Sequence, residues 1–146
     1  MSQNLLLLMN GTLSEVLIQL RIGDLDSLNH VNNANYLTFF EIGRVDFLIK
    51  LIKIFDPRDV NFVVKHAEIE FKKPIHFTDK PVVQTWISKI GNTSVVFSHK
   101  IIDKENSDVY ANGKTVVVWI DGKGQKIPIP DNIRNTISNF VNEDLE

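Results

Sequence analysis

The chain has 146 residues, 43% of them apolar and 23% charged, which suits one globular domain with a sizeable core. A net charge of −2 argues against a nucleic-acid binder, which carries a basic face or stripe. With no cysteine there is no disulfide, thiolate nucleophile or thiolate metal site. Leu5 to Met9 is apolar but too short to cross a bilayer. It lacks the basic flank and small-residue cleavage site of a signal peptide. The default expectation is a soluble cytoplasmic protein without a membrane association.

Residues 15–23 alternate, with Val16, Ile18, Leu20 and Ile22 on one phase and Glu15, Gln19 and Arg21 on the other. Period two predicts a half-buried strand with Ile22 on its core face. Gly23 and Asp24 end it, and the polar, Asn-rich run to Asn33 reads as a loop. From Ala34 to Lys53 the apolar spacing turns helical. Leu37, Phe40, Leu48 and Leu51 recur in steps of three and four, and Phe39, Ile42, Phe47 and Ile52 widen the surface. The pattern predicts a largely buried helix, capped by Asn32 or Asn33. Gly43 in its middle costs roughly 1 kcal/mol against alanine and points to close packing on a sheet. Pro57 stands past its end.

Strands follow. Ala67, Ile69 and Phe71 alternate with Glu68, Glu70 and Lys72; then come 81–90, 93–103 and 109–120, separated by short turn signals. Pro128 and Pro130 lead into a short amphipathic helix carrying Ile133, Ile137, Phe140 and Val141, and the acidic end from Asn142 to Glu146 should fray. Strands and long helix are segregated, so the class is α+β, one domain over 1–146, with a twisted antiparallel sheet around the apolar helix.

The chemistry concentrates in Arg21 to Tyr36. A strand end runs through a polar loop into a helix N-terminus, whose free N–H groups suit an oxyanion. Asp24 and Asp26 are placed beside it as a base or a nucleophile. Each candidate has a plainer role as well. Aspartate favours turns and caps, and Asp24 reads as structural. His30 can simply order the loop. Glu41 on the long helix reads as part of a buried or interface salt bridge with Arg44. His66, His76 and His99 fall on separate predicted strands without metal-ligand spacing, so no metal site is expected. Phe39, Phe40 and Phe47 suit either an acyl tunnel or the core. The lysines Lys72, Lys73, Lys89 and Lys114 read as a solvated face.

Asp24-Leu25-Asp26, His30-Val31-Asn32-Asn33 and Tyr36 together resemble the signature of the 4-hydroxybenzoyl-CoA thioesterase family of hot-dog proteins. The resemblance continues through Glu68-Ile69-Glu70-Phe71 with Pro74, Thr78-Asp79, Lys89-Ile90-Gly91-Asn92-Thr93-Ser94 and Ile127-Pro128-Ile129-Pro130. It spans about Glu15 to Ile137. It implies a hot-dog fold of five or six antiparallel strands wrapped around the helix, and hydrolysis of acyl-CoA thioesters without a cofactor. It also implies a homodimer or homotetramer with active sites between subunits. By position, Asp26 matches the catalytic aspartate and the Asn33 backbone N–H the oxyanion donor. His30 and Tyr36 fall at the substrate, with Thr93 and Ser94 approaching from the partner. Asn29 stands where many relatives have glycine; asparagine tolerates the left-handed region better than most residues, so the turn can survive. Two other readings stay open: a non-catalytic acyl-thioester-binding module, and a hot-dog dehydratase, although neither His30-Val31-Asn32 nor His76-Phe77-Thr78 has the His-Phe-Pro pattern of the latter.

Overall fold

The computed structural model describes residues 11–55 and 60–143; Leu5 to Met9, Pro57 and the last three positions of the acidic end lie outside them. The elements are β1 (Ser14–Leu17), α1 (Asn35–Phe47), β2 (Phe62–Phe71), β3 (Pro81–Ile90), β4 (Ser94–Asp103), β5 (Val109–Trp119) and α2 (Asp131–Ile137). The five strands form one sheet in the order β1-β3-β4-β5-β2, and the four pairings are antiparallel. Helix α1 packs on one face of it, against β1, β3 and β4. This is the α+β architecture expected from the residues.

Several boundaries differ from expectation. β1 is only four residues long. After the Ile18 N–H bonds the Pro81 carbonyl the chain leaves the sheet, and Ile22, expected on the core face, is 77% exposed in a 3₁₀ turn. α1 gives way at Leu48–Ile52 to a π-helical turn, and Lys53 at φ 65° ends it in the left-handed region. β2 begins at Phe62, five residues before its alternation shows, because a bulge between Val64 and His66 breaks the period of two. His76 lies in the connection after β2 rather than on a strand. The helix is also less buried than its composition implies. Tyr36, Phe39, Phe40, Gly43, Arg44 and Phe47 are buried, but Leu37, Ile42, Val45 and Ile49 are 39–45% exposed.

Two glycines let the helix sit close to the sheet. A β-carbon at Gly43 would collide with the side chains of Thr85 and Val83; one at Gly113 would enter the Phe40 ring and press on the Glu68 carbonyl. Phe40 fills this gap and stacks on the His99 ring at 4.5 Å. Phe39 and Phe47 are core as well, Phe47 meeting Phe97 and Phe140 edge-on. α2 is tied to the β3–β4 hairpin by the Arg134 guanidinium, which donates to the carbonyls of Gly91 at 2.9 Å and Asn92 at 2.8 Å.

His99 is 1% exposed. Its ring nitrogens each meet a threonine hydroxyl at 3.0 Å, Nδ1 with Thr85 and Nε2 with Thr115. Burial, aided by the nearby Arg44 charge, pulls its pKa well below the ordinary value of 6.5. The folded chain keeps the imidazole neutral while the unfolded chain protonates it near 6.5. Stability is therefore full above that pH and is lost as pH falls below it, by up to about 1.4 kcal/mol per unit. Urea melts at pH 7.5 and 5.5 should show this loss, and His99→Gln should flatten it. Gly113→Ala should cost about 1–3 kcal/mol through overpacking, read as a lowered urea midpoint at unchanged slope.

Candidate active site

The loop from Arg21 to Asn35 is built around Asp24, which is 3% exposed. Its carboxylate accepts the Arg21 N–H at 2.8 Å, the Arg21 guanidinium at 3.0 Å and the Asn35 amide at 3.4 Å. Its carbonyl accepts the Asn32 N–H at 2.8 Å and the Asn35 amide at 3.0 Å. Burial would raise the Asp24 pKa, but the Arg21 guanidinium and N–H outweigh it and hold the carboxyl below its usual range. Asp24 thus joins the strand end, the loop and the first helical residue, the structural role read from its position. Arg21 and Asn35, which complete the arrangement, were not singled out from the sequence, where nothing marks which polar residues will pair.

Asp26 heads the next turn. Its Oδ1 accepts the N–H of Leu28 at 2.8 Å and of His30 at 3.2 Å, and its own N–H bonds the His30 carbonyl at 2.7 Å. Asn29 closes the turn at φ 62°, so asparagine does take the left-handed conformation that glycine takes elsewhere. Oδ2 of Asp26 has no hydrogen-bond partner among the described residues.

The helix starts later than its asparagines suggested. Its N-cap is Ala34, without a side-chain cap; Asn32 instead caps a preceding turn, accepting the Ala34 N–H at 3.0 Å. The Asn33 carbonyl accepts from the Tyr36 N–H, while the Asn33 N–H has no acceptor among the described residues. Asp26, His30, Asn33 and Tyr36 line one cleft of about 340 Å³ together with Phe71, Lys72 and Lys73. Tyr36 is buried, its ring edge-on to Phe71 at 4.9 Å. Burial raises the pKa of its hydroxyl, the Ile75 N–H opposes this and the Asp26 charge adds to it, so the phenol stays protonated. His30 and His76 pack edge-on at 4.9 Å at the rim. The neighbouring cations are matched, Lys72 by Glu70 at 2.5 Å and Lys73 by Asp108 at 2.8 Å.

Thr93 and Ser94 are not part of this cleft. Ser94 pairs with Val118, whereas Phe71 pairs with Ala111. The two positions lie seven residues apart along β5, roughly 24 Å. Glu41 is exposed and makes no ion pair with Arg44 within 4 Å. Among the described residues no three His, Asp or Glu side chains gather as a metal site, and no helix is long and apolar enough to cross a membrane.

One antiparallel sheet wrapped over a long helix is the architecture of a hot-dog protein. Residues 20–137 match the family model of the Thioesterase-like superfamily, and the chain belongs to that family. It is 28% identical over 134 residues to the acyl-acyl carrier protein thioesterase ATL3 of Arabidopsis thaliana, covering 89% of this chain and 70% of that one. It is 28% identical over 127 residues to the long-chain acyl-CoA thioesterase FadM of Escherichia coli, covering 85% and 96%. Among solved structures, a Thermus thermophilus thioesterase complexed with coenzyme A and Zn superposes with a TM-score of 0.75 at 31% identity, over 84% of this chain and 95% of that one. The fold and the family implied by the loop motif are thereby borne out.

Removing the Asp24 carboxylate leaves Arg21 and Asn35 donors without their acceptor. Asp24→Ala should lower stability by about 1–3 kcal/mol, measured by thermal or urea unfolding.

Proposed function

We propose that the chain hydrolyses acyl-CoA thioesters, with Asp26 as general base. The observation that carries this is the shared cleft, where the free Oδ2 of Asp26 and the unbonded N–H of Asn33 stand at the start of α1. Asp26 takes a proton from water as the water oxygen bonds to the thioester carbon. The Asn33 N–H, backed by the positive end of the helix, holds the oxyanion. The carbon–sulfur bond then breaks, the thiolate leaves and is protonated, and free acid and CoA result. His30 at the rim, and Tyr36 with Phe71 in the wall, position the acyl thioester.

The family membership supports thioester hydrolysis over a dehydratase or a binding module. The relatives named above support acyl thioesters as the substrate class, and the coenzyme A complex favours CoA as the carrier.

The active unit is a dimer paired through β2. β2 is the outer strand of the sheet, ten residues long, with its second ladder of N–H and C=O groups open. Antiparallel pairing of two such edges brings opposite ends of the sheets together. That is what Thr93 and Ser94 require if they are to reach the Asp26 cleft of the neighbouring subunit.

A panel of acyl-CoAs, followed by thiol release, tests the reaction; the absence of cysteine removes background from the protein itself. Asp26→Asn should lower kcat by about 10²–10⁴-fold with little change in KM. Near-normal turnover in that variant would exclude the mechanism.

A further inference from the structure

Arg44 is a buried charge that makes no ion pair within 4 Å among the described residues. It is 8% exposed, and its guanidinium has one long protein bond, Nη1 to the Thr115 hydroxyl at 3.4 Å. Beside it stand Thr115 and the neutral His99, neither of them anionic. A buried cation left so is costly, and a guanidinium has five donors to satisfy. Glu41 is the carboxylate whose field reaches it, one turn back on the helix, yet no ion pair forms between them within the chain.

The surroundings of Arg44 are those of an interface. Leu37, Glu41, Arg44 and Leu48 are spaced four, three and four residues apart, so they form one stripe along the helix. Arg44 reaches toward β5 through Thr115, which places the stripe on the side of the helix nearest the open edge. Leu37 is 45% exposed there, Val64 and Phe71 on the same face of β2 are each 47% exposed, and Ala67 is exposed too. The face is apolar, with one positive and one negative residue at its centre.

We propose that Arg44 and Glu41 form a reciprocal clasp across the dimer, Arg44 of each subunit pairing with the partner's Glu41. A two-fold interface brings one patch against itself. A plus and a minus three residues apart on one helix are self-complementary when two copies meet antiparallel. Pairing of the β2 edges puts both helices on the same side of the joined sheet with these stripes facing. The clasp rests on the shared-site dimer above, but it names a determinant of assembly outside the catalytic cleft.

The test is dimer dissociation of the full chain by sedimentation, with hydrolysis measured on the same samples. Glu41 is exposed, so its variants should fold. Glu41→Arg should raise the dissociation constant at least tenfold, since two arginines then face each other. Arg44→Glu alone should behave likewise. An equimolar mixture of the Glu41→Arg and Arg44→Glu chains should form heterodimers, because both contacts across that interface are again Arg–Glu. A pair confined to one chain would give no recovery on mixing, as each variant chain carries two like charges. The clasp is wrong if Glu41→Arg dimerises like the wild type, or if Arg44→Glu folds and the mixture stays dissociated. Should Arg44→Glu fail to fold, Glu41→Arg alone decides. In each of these cases wild-type hydrolysis remains a separate readout of the thioesterase reading.

Discussion

The buried carboxylate of Asp24 is the constraint on which the site depends. Removed from water, it accepts from the backbone and side chain of Arg21 and from the amide of Asn35, and its carbonyl takes two further donors. Strand end, loop and helix start are joined at one residue. The turn headed by Asp26 can then be short and self-bonded, with Asn29 in the left-handed region, and Asp26 can spend one oxygen on the loop and keep the other for chemistry. The same arrangement sets the Asn33 N–H at the mouth of the helix without an acceptor. The carboxylate and the N–H proposed to act on the thioester thus lie on a scaffold rather than on a free loop, which is how an active site avoids reorganising as charge develops.

The second organising feature is polar chemistry under the helix. His99, Thr85 and Thr115 form a buried row across three adjacent strands, and Phe40 covers it as a stacked lid. Gly43 and Gly113 admit this close packing. The row is complete while the imidazole is neutral, so it fixes where helix and sheet meet. Arg44 stands at its margin with a charge that the row does not balance, and the imbalance lies on the side of the molecule where β2 is open. The unpaired ladder, the exposed apolar stripe and the uncompensated guanidinium share one side of the protomer.

Much of this was legible in the sequence because the site is written locally. Asp24 to Tyr36 is contiguous, and a carboxylate, a left-handed asparagine and a helix start need no distant partner to be recognised. The strands from β3 to β5 alternate cleanly between short turns. What sequence hid was of two kinds. A bulge conceals the first half of β2, since Phe62, Val63 and Val64 run together without alternation. The long helix carries apolar side chains on its exposed side as well as its buried one, so Leu37, Ile42 and Val45 read as buried when they are not. His99 could have been found, because it shares the inward phase of Val95, Phe97 and Ile101; the pairing of Asp24 with Arg21 and Asn35 could not, because composition does not say which polar side chains converge.

The central claim is a thioesterase site shared between two chains, with Asp26 from one and the β3–β4 hairpin from the other. Mixing tests it most directly. Asp26→Asn chains are combined with chains impaired by joint substitution of Thr93 and Ser94, and acyl-CoA hydrolysis is followed as subunits exchange. Each mixed dimer would contain one intact site, so random pairing should restore about a quarter of wild-type activity from two nearly inactive parents. Failure to regain activity, with mixed dimers demonstrably present, would place the whole site within one chain and contradict the account.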